Sequence, residues 1–234
     1  MDQQIIIRVA GSGDIQYATT ITNEMEASAK ARGTGIAKRS PEYIVQKIQE
    51  GKAVIAVTPE GTWVGFCYIE AWGHEKFVAN SGLIVSPAFR KSGVAKLIKK
   101  RIFELSKEKY PNAKIFGLTT GLAVMKINSE LGYEPVTYSE LTDDEEFWKG
   151  CKACINYDIL MSKDRKNCLC TAMLYNPAEK APTPEQKPAE VKLDKSMFEG
   201  FISMKQSRLV KLLKKNDPAK KEKVKSILSY FLNL

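Results

Sequence analysis

Apolar positions in the first 161 residues follow two rhythms that take turns along the chain. Short β-branched runs at residues 5–9, 53–57, 63–69, 77–85 and 114–119 predict strands, the first of them buried. Between these runs the apolar spacing lengthens to that of a helix. Ile15, Ala18, Ile21 and Met25 form one stripe after Asp14. Ser40-Pro41-Glu42 starts a second helix, with serine as cap and proline at the first helical position, where its missing N–H costs nothing. Val94, Leu97, Ile98, Ile102 and Leu105 give a long third helix over residues 92–109. Residues 122–131 predict a fourth that ends at Gly132, residues 136–138 a strand, and Thr142-x-x-Glu145 the capping box of one more short helix. The order is strand, two helices, three strands, long helix, strand, helix, strand. That is an α/β domain with a mixed central sheet flanked by helices.

The rhythm breaks after residue 161, and the chain divides there into four expected parts. Residues 1–161 form the α/β domain, 162–175 a cysteine-containing extension, 176–195 a proline-rich linker, and 196–234 a helical tail. In the tail, Met197, Phe198, Phe201, Ile202, Leu209, Leu212 and Leu213 make one amphipathic pattern. Val224, Ile227, Leu228, Phe231 and Leu232 make a second. Such stripes are too apolar to stay in water, so contact between copies of the chain is expected of them.

Charge changes this picture only for the tail. The chain carries +9, and residues 196–234 supply +6 of it, with nine Lys/Arg against three acids. The body is therefore nearly balanced, and nucleic-acid binding is not expected of it. The tail also lacks the interleaved aromatic residues that stack on bases. No apolar run approaches the ~20 residues of a membrane helix, and the first residues lack the layout of a signal peptide. With five cysteines, these features predict a cytoplasmic protein with reduced thiols. His74 is the single histidine, which excludes chemistry that needs a histidine pair.

The strongest chemical signal is Ile84-Val85-Ser86-Pro87-Ala88-Phe89-Arg90-Lys91-Ser92-Gly93-Val94-Ala95. A strand runs into a loop of form Arg-x-x-Gly-x-Ala that opens a long helix. Unpaired N–H groups at the helix start and the helix dipole favour an anion, and Gly93 lets it approach the backbone. The segment resembles motif A of the GNAT acyltransferase superfamily, whose corresponding loop binds the pyrophosphate of acetyl-CoA. Residues 125–135, ending in Leu131-Gly132-Tyr133-Glu134-Pro135, resemble that superfamily's helix and turn downstream. The resemblance covers roughly residues 5–160 and implies the GNAT fold with acetyl-CoA, or another acyl-CoA, as co-substrate. It implies that Ile84 and Val85 pair with the pantetheine arm. It assigns Arg90, Lys91, Ser92, Gly93, Val94 and Ala95 to the pyrophosphate. Many members carry a tyrosine on the later helix as the acid that reprotonates the departing thiolate. Asn128 stands at that place, against the bound cofactor, and has no titrating proton to give.

Within the superfamily, residues 35–42 (Gly35-Ile36-Ala37-Lys38-Arg39-Ser40-Pro41-Glu42) resemble a Gly-Ile-Leu-x-Arg-Arg-Ser-Arg-Glu segment of bacterial N-acetylglutamate synthases. Leu118-Thr119-Thr120 resembles their Leu-Thr-Thr strand end, although Gly121 follows where they usually have arginine. The resemblance implies transfer of an acetyl or succinyl group to a small-molecule amine, the α-amine of glutamate or a related amino acid, as in arginine synthesis. A polyamine, peptide or protein amine is the alternative acceptor, and an RNA- or ribosome-binding module the alternative class. Lys38 and Arg39 suit a carboxylate clamp, since arginine presents a planar fork, and Thr119 and Thr120 join them on the acceptor. Glu70 is the expected general base. It alternates with Phe66, Tyr68 and Trp72 on a strand, where partial burial would raise its pKa.

A second constellation is Cys151-x-x-Cys154 followed by Cys168-x-Cys170. Thiolates at these spacings can close a tetrahedral zinc site. The expectation is one structural zinc on Cys151, Cys154, Cys168 and Cys170, with residues 155–160 running as a strand between the pairs.

Overall fold

The computed structural model describes residues 4–33 and 39–180. Lys38, the linker from residue 181 onward and the tail helices expected over 196–234 lie outside the described residues. Strands β1 (Ile6–Val9), β2 (Ala53–Val57), β3 (Trp63–Trp72), β4 (Phe77–Val85), β5 (Lys114–Thr119), β6 (Glu134–Val136) and β7 (Thr171–Tyr175) form one sheet. Its order is β1-β2-β3-β4-β5-β7-β6. The first four strands are antiparallel neighbours, β4 and β5 run parallel, and β7 inserts antiparallel between β5 and β6.

The helices are α1 (Ala18–Arg32), α2 (Pro41–Gln49), α3 (Val94–Lys109), α4 (Leu122–Glu130), α5 (Glu145–Lys149) and α6 (Tyr157–Ser162). Ser40 caps α2 by accepting from the Tyr43 N–H, as its sequence predicts. Alternation along β3 sorts the core. Cys67 and Ile69 pack with Val78, Ile98 and Ile102 beneath α3. Phe66 and Tyr68 face the other way, onto Ile21, Met25, Ile44 and Ile48 of α1 and α2. A third cluster of Ala79, Phe116, Tyr138, Trp148 and Leu160 covers the later strands. Because Glu70 pairs with Ala79 across β3 and β4, it stands on the same face as this third cluster.

Four expectations change. β1 lies at the sheet edge with alternate residues exposed, because only β2 pairs with it. The penultimate core strand is 134–136, two residues earlier than its apolar pattern suggests. Residues 157–162 form a helix where the zinc reading wanted a strand. Residues 171–175, expected outside the core, are a strand inside the sheet with Ala172, Met173 and Leu174 buried.

Candidate active site

The parallel ladder between β4 and β5 is short. Phe77, Val78 and Ala79 pair with Lys114, Ile115 and Phe116, and there the pairing ends. Beyond it the two strands part, β4 held by β3 and β5 by β7. The first residues past the fork are Asn80 and Gly117. A cavity of about 740 Å³ occupies the fork and reaches both faces of the sheet. Arg39, Tyr43, Tyr68 and Glu70 line it on the α2 side, Lys99 and Asn128 on the α3 and α4 side, and Tyr138 with the cysteines at its far end.

Glu70 is buried, 6% exposed, although it stands near the end of its strand. Its carboxylate accepts from Arg39 Nη2 at 3.2 Å and from the Tyr43 hydroxyl. Arg39 Nε donates to the Tyr68 hydroxyl at 3.1 Å, and the guanidinium lies over the Tyr43 ring at 4.9 Å. Burial, reinforced by the Glu70 carboxylate, pushes the Tyr43 hydroxyl pKa up, so it stays a donor. Burial also pushes up that of Tyr68. Tyr68 is seated by Gly82, whose φ is +66° and where an added Cβ would lie 2.3 Å from the Tyr68 ring. Neither Tyr43 nor Gly82 is expected from sequence. Tyr43 lies three residues past the Ser40 cap, one turn into α2, the signal that could have found it.

The helix-start loop forms the left-handed turn into α3 where its sequence places it. Gly93 caps α3 with φ +84°, Lys91 also has positive φ, and an added Cβ at Gly93 meets nothing within 4 Å. The Lys96 and Leu97 N–H groups turn back to the Gly93 carbonyl. Val94 and Ala95 lie in the first turn, whose N–H groups have no carbonyl partner within the helix. Ser92 Oγ donates to the Phe89 carbonyl, which stiffens the loop. Arg90 serves the loop rather than its mouth. Its side chain donates to the Val85 carbonyl, to Glu24 at 2.7 Å and to Ser28 at 2.8 Å, and its N–H turns to Pro87. Ile84 and Val85 bury their side chains in the two cores, so only their backbone is on offer. Thr119 and Thr120 line the cavity where β5 ends, and Thr119 Oγ1 accepts from the Gly121 N–H.

Asn128 is 1% exposed, and its Oδ1 has no partner. The Trp72 indole N–H on the cavity wall is likewise unpartnered. Buried polar atoms are rarely left unpaired, which sets these two apart on the cavity wall.

Cys151, Cys154, Cys168 and Cys170 do gather, at the cavity end around Tyr138. The Tyr138 hydroxyl lies 2.8 Å from Cys168 Sγ and donates to the Cys170 carbonyl. Burial pushes the Cys151 thiol pKa up to about 11 and that of Cys170 up to about 12, which keeps both protonated. Among the described residues no three Cys, His, Asp or Glu side chains come together as a group that could hold a metal ion. The zinc expectation finds no support, and the cysteines serve as cavity wall. His74 and Glu75 sit exposed in the turn after β3. Among the described residues no helix is long and apolar enough to cross a membrane.

Solved structures share this architecture. N-acetylglutamate synthase from Neisseria gonorrhoeae, complexed with coenzyme A and N-acetyl-glutamate, matches 75% of this chain at 17% identity and TM-score 0.52. The chain spans 36% of that protein, about a third of its length. A Mycobacterium tuberculosis protein in complex with CoA matches 73% of this chain and 98% of its own at 17% identity and TM-score 0.52. A GNAT superfamily phosphinothricin acetyltransferase from Sinorhizobium meliloti, in complex with AcCoA, matches 81% and 97% at 14% identity and TM-score 0.51. No family model and no curated protein matches the sequence. At these identities the likeness is one of fold, and the fold is that of the GNAT superfamily.

Proposed function

We propose that the protein is an acyl-CoA-dependent N-acyltransferase whose acceptor is the α-amine of an amino acid, glutamate first among them. One observation carries this reading: the Arg39–Glu70 pair, 3.2 Å apart on the cavity wall beside the fork. An α-amino acid holds an ammonium and a carboxylate on neighbouring atoms, and the pair offers each a charge of opposite sign. Arg39 takes the carboxylate through its planar fork. Glu70 takes the ammonium and accepts its proton, which frees the nitrogen lone pair for attack on the thioester. Tyr43 and Tyr68 fix both side chains through their hydroxyls.

On the other substrate, the first-turn N–H groups of Val94 and Ala95 and the dipole of α3 suit a pyrophosphate. The unpaired edge of β4 suits an extended arm leading into the fork. Asn128 and Trp72 supply unpartnered polar atoms beside it. The complexes of this fold with CoA and with N-acetyl-glutamate support the choice of donor and acceptor. With Gly121 in place of arginine, the second carboxylate of glutamate falls to Lys38. The reaction is assigned to the cytoplasm and to amino-acid synthesis, as in the making of arginine.

The test is CoA release, followed as free thiol, over a panel of amino acids and diamines with acetyl-CoA and succinyl-CoA in turn. Glutamate should accelerate release above every other acceptor. Release that no acceptor raises above the background, from protein that binds CoA in calorimetry, would overturn the reading.

A further inference from the structure

Lys99 is a buried cation that the acyl-transfer reading leaves without work. It lies on α3 and is 2% exposed. Its ammonium donates one hydrogen bond, to Asn80 Oδ1 at 3.3 Å, and lies 5.3 Å from the Tyr133 ring centroid. Among the described residues it has no carboxylate partner. Asn80 itself is held by Tyr133, whose hydroxyl donates at 3.0 Å, and by Ser106 at 2.8 Å. The titratable groups facing the ammonium are Cys67 of β3 and Tyr133. A buried ammonium with so little compensation costs stability, and such groups concentrate where chemistry needs them. Its place is specific. Asn80 is the first β4 residue past the fork, Lys99 lines the cavity there, and Asn128 approaches Gly117 on the facing strand. Glu70 lines the same cavity from the opposite face of the sheet.

We propose that Lys99 is the catalytic acid, giving its proton to the CoA sulfur as the thioester bond breaks in the fork. This rests on the acyl-transfer reading. The acceptor nitrogen forms the C–N bond from the Glu70 face, and the C–S bond breaks with its electron pair on sulfur. The sulfur takes a proton from Lys99, which becomes a neutral amine, while Glu70, having passed the ammonium proton on to solvent, takes the surplus proton of the nitrogen. Lys99 then recovers a proton from solvent and Glu70 releases one to it through the open cavity, so the step returns both groups to their starting states. Burial lowers the Lys99 pKa to about 8, low enough to yield a proton and high enough to hold one at pH 7. Asn128 cannot supply one.

Four proteins decide it: wild type, Lys99→Met, Lys99→Gln and Lys99→Arg, each as the full chain. Thermal unfolding should show Lys99→Met at least as stable as wild type, since it removes the buried charge. Lys99→Gln keeps a donor for Asn80, should the first variant fail to fold. CoA should bind all four with similar affinity by calorimetry. The thiol of bound CoA, followed by the ultraviolet absorbance of its thiolate, should ionise about one pH unit higher in Lys99→Met and Lys99→Gln, because the ammonium beside it is gone. Turnover at pH 7 should fall about 10²-fold in all three variants. Lys99→Arg is the discriminating case, because it restores the charge but cannot release a proton at that pH. Wild-type kcat should also decline as pH rises through about 8, a limb the variants lack. Lys99→Arg at more than half of wild-type turnover, or thiol ionisation unmoved by Lys99→Met, overturns the assignment. A wild type that binds no CoA overturns the acyl-transfer reading itself, and this inference with it.

Discussion

Arg39 and Glu70 hold each other at 3.2 Å, so the pair has to be parted before Glu70 can meet an acceptor ammonium. An acceptor carboxylate that draws Arg39 away does this, which ties proton removal to binding of the right substrate. Glu70→Gln should therefore lower kcat about 10²-fold with CoA affinity unchanged. Arg39→Ala should chiefly raise KM for the acceptor. Steady-state kinetics with calorimetry checks both, and full turnover by Glu70→Gln across the pH range would move the role elsewhere. Glu70 and Arg39 were legible in the sequence because strand alternation and a helix-start segment point to them singly. Their pairing was not, since it depends on how α2 packs across β3. Lys99 shows a different kind of illegibility. A lysine in a helix reads as a solvated side chain, yet Ala95, Lys99, Ile102 and Ser106 share one stripe, and that stripe is the buried one.

Among the elements, the start of α3 carries the sharpest expectation. At Gly93 an added side chain finds open space but an unfavourable positive φ, which costs about 1–2 kcal/mol. Gly93→Glu should thus stay folded while its carboxylate repels the pyrophosphate, and calorimetry should find CoA binding lost. The junction of β1 with α1 is held by charge instead. Asp14 is buried and accepts from Arg8 at 2.6 and 2.8 Å and from the Gly11 N–H at 2.8 Å. Burial works against its charged form, but the Arg8 and Gly11 hydrogen bonds outweigh it and hold the carboxyl below its usual pKa. With the folded pKa depressed, the stabilisation is complete above the unfolded value of about 3.9 and is lost as pH falls below it, through the folded pKa. Asp14→Asn should cost about 1–3 kcal/mol at neutral pH, and less in acid, by denaturant unfolding at both. Elements with local signals were readable: the Ser40 cap, the Gly93 loop and the Gly132 stop all stand where expected. β7 was not, because its place between β5 and β6 comes from pairing with residues 36 to 60 positions away.

At the scale of the molecule, the fold closes at β7, and residues 171–175 supply the strand on which β5 depends once it has left β4. The fork, and with it the cavity, therefore requires the chain at least to Tyr175. The segment 182–234, outside the described residues, carries most of the net positive charge. The sequence of this segment pairs an apolar stripe (Met197, Phe201, Leu209, Leu212) with lysines on either side, the pattern of a helix that covers a partner rather than fills a core. No residue assigned to either substrate lies in it. Removing residues 182–234 should accordingly leave CoA affinity and the thermal transition of the α/β domain intact. It should also lower the mass seen by light scattering, because contact between copies is the use proposed for the stripe. A shortened chain of unchanged oligomeric mass and full solubility would argue that the stripe joins no copies. A shortened chain that loses CoA would instead place part of the binding site beyond the sheet.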